Sequence, residues 1–522
     1  MLGPPFVRRK NNELLIWQIR RNVVILQGFM KQLLMRYGQM GSSVLLGIGV
    51  FLFWAVGYPH ALSYQEQYQL FLWTTDYFFE RISVPGGLAD WLGELIVQFY
   101  YVEWLGALLL ALLFVALQRL TACLLPKGIW RPFSIVPVIM LMWLMGDINV
   151  LLSLLVAVVL ALVLACVRMS KRFSWIDMII LPITYWLIGP AVWLYAMVRL
   201  VQFGWLHLWS AGWLVAAQLG IYVWLMPQWP MQQVMVTSTY YRTPMQYPQW
   251  TGYDKDMYEL IRLDYLIRNE RWDEVISRAE KHEVRTAFWS NCVNLALSQK
   301  RMLAERQFDF YQSGEDALIM PRLRDQTSNL PSAEAFFRLG LVNSAQRYMF
   351  DIQESILNGK KSGRCTKRIV ECMLINGHYQ PAKKYISLLK KSLFYRDFAK
   401  EAERCLNNDA MINKYWGRLR QLRFKNDFLF SYDEKEKILG LLFVDNKDNK
   451  MALDYFIGEL LLRGDVQGVM QYMPWAEQYG GYRHMPAGYQ DAVRTIQSRG
   501  QAEGTKYGEY VKRMLRQKGG AE

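Results

Sequence analysis

The chain has 522 residues, room for two or more domains, and carries 60 Lys and Arg against 45 Asp and Glu for a formal net charge of +15. That excess is diffuse, +6 over residues 1–241 and +9 over the remainder, with no dense basic patch; this argues against nucleic acid and favours anionic lipid or polyanionic glycan. Six cysteines without a CxxC pair or nearby histidines at ligand spacing argue against a thiolate metal site, so no metal ligand set is assigned to them.

Charge divides the chain. Only 24 of the first 241 residues are charged, against 81 of the last 281, so two solvents have shaped two halves. Residues 1–42 are basic and loosely amphipathic, which suits a cytoplasmic segment on the inner membrane face or an over-extended gene start. Residues 43–226 hold apolar segments at roughly Ser43 to Tyr58, Trp104 to Leu125, Phe133 to Met145, Val150 to Val167, Ile176 to Ile188, Ala191 to Phe203 and Leu208 to Met226. They predict a polytopic membrane domain of about seven spans, with an error of one, because several fall short of the roughly 20 residues a spanning helix needs. The third and fourth meet at a tight GDIN turn; the fifth and sixth meet at Gly189-Pro190, either two spans or a re-entrant hairpin.

A cytoplasmic N-terminus and alternating sides place 14 of the 15 basic residues before position 242 inside, leaving only Arg81 outside. This orients the chain as a multi-pass membrane protein with an odd number of crossings and everything after Met226 outside the cytoplasm. No cleavable signal peptide is evident. Asp177 and Arg199 sit near predicted helix ends, where snorkelling would carry them to the interface.

The external loop 59–103 is acidic, holding Glu66, Asp76, Glu80, Asp90, Glu94 and Glu103. Read as one helix, Tyr64 to Ile82 lines up Glu66, Asp76 and Glu80 on a single stripe, with aromatic residues opposite, as an interfacial helix requires. Asp76 and Glu80 are one turn apart, near enough to share a divalent cation, whereas Glu66 stands about 15 Å from Asp76 along such a helix. The stripe suits either a solvated acidic face or a groove for a sugar or lipid-linked phosphate.

Pro230, Pro244 and Pro248 mark 227–250 as a linker, and residues 251–522 read as paired amphipathic helices. Turn positions recur at Glu270, Gly340, Gly377 and Gly464, with Ala345 and Ala382 five residues into their units and Tyr348, Tyr385 and Tyr472 eight residues in. The 37-residue and 70-residue spacings resemble tetratricopeptide-type hairpins of about 34 residues, so the fold class expected is all-α: a helical membrane domain followed by a tetratricopeptide-like solenoid.

Two further resemblances stand on particular residues. The run YQEQYQLFLWTTDYF with its PGG break, then RLDYLIRNERWDEVI, NLALS and LINGHYQPAKKYI, resembles an uncharacterised family of polytopic inner-membrane proteins from Bacteroidetes, a domain of unknown function covering most of the chain. A first span, an acidic loop with interfacial helices and a long second span also resemble membrane glycosyltransferases that use lipid-linked sugars. That resemblance implies a carboxylate soon after the first span as base or metal ligand; Glu66 holds the place, although within QEQ rather than as the usual Asp. Two functions are thus expected: display of a periplasmic helical-repeat domain to an envelope protein or glycan, or a glycosyltransferase-like enzyme with Glu66, Asp76 and Glu80 as catalytic candidates and a divalent cation as cofactor.

Overall fold

A computed structural model describes residues 40–126, 130–167, 174–236, 240–241, 252–323, 327–356, 360–424, 431–498 and 504–519. The basic segment before Met40, the basic residues Lys127, Arg168, Lys171 and Arg172, and the part of the linker holding Pro244 and Pro248 lie outside them. Among the described residues the chain is all-helical, with no strand.

Among the described residues four helical stretches are long and apolar enough to cross a membrane: Met40–Gly57, Glu103–Leu124, Asp177–Phe203 and Leu208–Leu225. Only 17% of the apolar window is buried inside the protein in the first and the fourth, and Leu45, Val56, Val201 and Trp224 stand more than two-thirds exposed. Helices this apolar with so little of their surface covered by protein need hydrocarbon around them. Arg131–Leu144 and Leu152–Val167 are shorter apolar helices packed alongside.

Asp177–Phe203 is not a straight rod. In a continuous helix Asp177 and Arg199 would be about 33 Å apart, yet Arg199 Nε lies 2.8 Å from Asp177 Oδ2. The stretch folds back at Gly189, whose φ of +69° is open to glycine, and a Cβ there would come within 2.9 Å of the Tyr241 hydroxyl. Each limb, Asp177–Ile188 and Val192–Phe203, has 12 residues and is about 18 Å long, short of a bilayer's hydrocarbon core.

The hairpin corrects the snorkelling expectation. Asp177 and Arg199 are buried together, Tyr195 donates to Asp177 Oδ1 at 2.8 Å, and His207 Nε2 lies 3.2 Å from Oδ2. Facing limbs supply each charge with a partner, so neither has to reach for water.

The connections of the apolar half gather at one end. Gly86 N–H donates to Trp186 C=O at 2.7 Å, Leu151 N–H to Tyr241 C=O at 2.8 Å, and Gln65 Nε2 to Val150 C=O at 3.5 Å. The GDIN turn belongs to this end, closed by Asp147 Oδ1 accepting from Asn149 N–H at 2.9 Å. At the other end Cys166 Sγ approaches Leu120 C=O at 3.7 Å. All six cysteines are free.

Two apolar cores divide the molecule, and one helix feeds both. Lys255–Arg268 gives Tyr258 and Ile261 to the first core and Leu263, Leu266 and Ile267 to the second. Beyond it, Leu330–Leu339, Val342–Glu354, Gly363–Asn376 and Tyr379–Leu389 pack each on the next through short connections. All four predicted turn positions adopt left-handed backbone: Glu270 at φ 55°, Gly340 at 88°, Gly377 at 78° and Gly464 at 71°. Ala345 and Ala382 are fully buried, allowing close helix approach, and Tyr348 packs on Phe336 while Tyr385 meets Phe350 and Tyr472 meets Phe456.

Candidate functional site: a polar cleft at the junction

Tyr64 to Ile82 is two helices, Pro59–Gln67 and Thr75–Ile82, not the single one that the wheel assumed. Tertiary hydrogen bonding overrides local helical pattern here. Between them the backbone serves the second half of the chain, Gln69 C=O accepting from Gly363 N–H at 3.2 Å and Trp73 N–H donating to Lys391 C=O at 2.9 Å. Thr74 then restarts the helix as its N-cap, accepting from Tyr77 N–H at 3.3 Å.

The break separates the three candidate carboxylates. Glu66 is 3% exposed and faces the helical half, whereas Asp76 and Glu80 remain one turn apart on the exposed side of the second helix. Tyr77 between them turns inward and donates to Glu94. No three His, Cys, Asp or Glu side chains are grouped as metal ligands among the described residues.

Glu66 lines a cleft of about 290 Å³ whose walls come from both halves. Ser63 and Glu66 arrive on the first loop helix, and Tyr101 and Glu103 at the start of the long span. Tyr265, Arg268 and Asn269 come from the shared helix, Glu334 from Leu330–Leu339, and Arg364, Lys367, Arg368 and Glu371 from Gly363–Asn376. Tyr395 closes the wall.

Most of these charges are paired, in a layered order. Tyr395 donates to Glu66 Oε1 at 2.8 Å, and Arg268 Nη2 lies 3.4 Å from Oε2 while its Nη1 donates to Ser63 at 3.1 Å. Arg364 grips Asp264 with two bonds of 2.7 and 3.0 Å and donates to Gln67 Oε1 at 2.7 Å. Arg368 bridges both oxygens of Glu334 at 2.9 Å, meets Glu371 at 2.6 Å and stacks 3.8 Å over Phe337. Tyr265 donates to Glu103 at 3.0 Å. Lys367 is held differently, its ammonium lying 5.1 Å over the Phe398 ring.

These surroundings push two cleft carboxyls apart. Burial raises Glu66 above the usual carboxylate range, against the weaker pull of Arg268 and Tyr395. Burial acts on Glu334 too, but Arg368, Arg364 and Arg338 outweigh it and hold the carboxyl at about 2. One cleft thus has a carboxyl disposed to keep a proton and another that stays ionised, a division that acid–base chemistry or a mixed donor-and-acceptor ligand could use.

A second knot ties the loop down beside the cleft. Lys360 reaches Glu94 at 2.9 Å and Asp90 at 3.0 Å, and Arg81 meets Glu94 at 3.2 Å while lying over Tyr77. Four of the six loop acids, Glu66, Asp90, Glu94 and Glu103, therefore receive a donor from the later half. The acidity of the loop serves in large part as a docking face for a basic partner on the same chain.

Sequence reasoning found Glu66 and missed the rest of the cleft. Arg364 and Arg368 lie one turn apart on a helix whose neighbouring Cys365, Ile369 and Cys372 are buried. Charges at core positions with no acid on their own helix one turn before them were the available signal.

A family model matches residues 36–517, and by that match the chain belongs to a family of unknown function, DUF6057. No curated protein and no solved structure matches the chain.

Proposed function

From that membership and the cleft, we propose that the chain is a polytopic bacterial inner-membrane protein with an odd number of crossings, in which Asp177–Phe203 enters as a re-entrant hairpin, and that it holds a tetratricopeptide-like domain on the periplasmic side. In this reading the junction cleft binds a glycan of the cell envelope. The sidedness is supported by the apolar half itself: the connections near 58–102, 145–151 and 189–191, together with Tyr240 and Tyr241, meet one another and the helical half at one end. Arg119 and Arg131, which the inside rule collects, belong to the other end. A reporter active only in the cytoplasm, fused after Gln249, is expected to stay silent; a strong signal would reverse the orientation.

The observation that supports glycan binding is the composition of the cleft. It offers acceptors (Glu103, Glu371), donors (Arg268, Lys367, Asn269) and the partly exposed Tyr101 side chain, whose ring stacks on Phe394, within about 290 Å³, the mixture that suits a polyhydroxylated ligand. Purified full-length protein is expected to bind one or more envelope oligosaccharides in calorimetry. Tyr101→Ala and Lys367→Glu should each weaken that binding at least tenfold without changing the melting temperature. Unaltered binding in both variants would remove the cleft from the argument.

A glycosyltransferase-like reading is favoured by one feature, the position and raised pKa of Glu66 directly after the first long apolar helix. Transfer from a lipid-linked sugar, with and without a divalent cation, should then be abolished in Glu66→Gln at unchanged protein level. Asp76→Asn and Glu80→Gln decide whether the exposed pair takes part. Full activity in all three variants would leave only the binding role.

A further inference from the structure

Far along the second half, a lysine ammonium sits within a ring of aromatics. Lys447 Nζ lies 4.4 Å from the Phe443 ring centre, 4.6 Å from Trp475 and 4.9 Å from Tyr479. Among the described residues the other lysines that lie over a ring, Lys367, Lys414 and Lys435, each meet one. Three faces converging on one cation form a cage, since each ring presents the negative face of its quadrupole inward.

The rings are packed into the helical array, and the lysine reaches them from a turn. Phe443 is buried on Lys435–Asp445, and Trp475 and Tyr479 share one face of Val466–Tyr479, four residues apart. Behind them Tyr472 lies 4.8 Å and Phe456 6.1 Å from Trp475, backing the indole. Lys447 belongs to the turn between two helices, a turn whose backbone is held by Asn446 accepting from Asp448 N–H at 3.0 Å and Asn449 accepting from Ala452 N–H at 3.1 Å. Its ammonium has no carboxylate partner among the described residues, so only the rings hold it.

An ammonium is the strongly hydrated member of the cations such a cage accepts. A quaternary ammonium, larger and weakly hydrated, gives up less water on entering and touches all three rings at once. We infer that Phe443, Trp475 and Tyr479 form a binding site for a quaternary ammonium group, with Lys447 as a built-in occupant that a ligand displaces. The half-buried Trp475 and Tyr479 give that ligand access from solvent. This inference stands apart from the cleft and from either reading of it.

Saturation-transfer NMR on the full-length protein tests it, with tetramethylammonium as the first probe and ammonium as the control of equal charge. Choline and glycerophosphocholine follow as arms that separate a free quaternary ammonium from a lipid headgroup. Lys447→Ala is expected to bind tetramethylammonium about tenfold tighter than the unsubstituted protein, with no gain for ammonium. Adding Tyr479→Leu, which keeps an apolar filling but removes one ring, should cancel the gain; Trp475→Ala should do the same wherever it folds. Equal binding with and without Lys447, or a gain that survives Tyr479→Leu, would overturn the proposal and leave the lysine a stabilising contact only.

Discussion

The two loop helices Pro59–Gln67 and Thr75–Ile82 carry carboxylates of the same kind and meet opposite fates. Glu66 is enclosed by Tyr395 and Arg268 from across the junction, while Asp76 and Glu80 remain in water. What separates them is which helix the second half covers. An acidic stretch is therefore a statement about partners rather than about chemistry until the covering surface is known.

Removing a partner from the covered side should cost most. Asp264→Ala leaves the Arg364 guanidinium buried without its two-bonded acceptor, and about 3–5 kcal/mol of stability should be lost in chemical denaturation of the full protein. A loss near zero would mean that the junction opens and water replaces the acid.

Acid should act next. Glu334 has a folded-state pKa near 2, below the ordinary carboxylate value, so its contribution is complete above about pH 4.5 and fades as pH falls toward 2. The difference corresponds to about 3 kcal/mol, and Glu334→Gln should flatten stability across that window. Lys360→Ala follows at about 1–2 kcal/mol, because Glu94 keeps Arg81 when the lysine is gone.

Glu66→Gln should cost about 1 kcal/mol or less, since a carboxyl pushed upward by burial already leans toward its neutral form and the amide oxygen still accepts from Tyr395. The exposed side comes last. Asp76→Asn and Glu80→Gln should change stability by no more than about 0.5 kcal/mol. If Asp76→Asn proved as costly as Asp264→Ala, the contrast between covered and exposed helices would fail.

Patterns that act along one helix or one turn were readable in the sequence: the apolar segments, the GDIN turn, and the left-handed turn positions at Glu270, Gly340, Gly377 and Gly464. The candidate site was readable at Glu66 alone. The helical wheel that selected it assumed a continuous helix through Tyr68–Trp73, and backbone bonds to Gly363 and Lys391 prevent one. Arg268, Arg364, Arg368, Glu334 and Tyr395 reach the cleft from segments up to 329 residues away from Glu66, and no local period encodes such a meeting.

The folded-back stretch Asp177–Phe203 bears on how the protein is made. Neither 12-residue limb can settle across hydrocarbon alone, and a lone Arg199 would add roughly 2.5–3.5 kcal/mol to the cost of its entry. Paired with Asp177, the limbs form one neutral wedge. Insertion of this region is therefore expected to commit both limbs together, since Asp177 gains its partner only once the arginine 22 positions later has been synthesised.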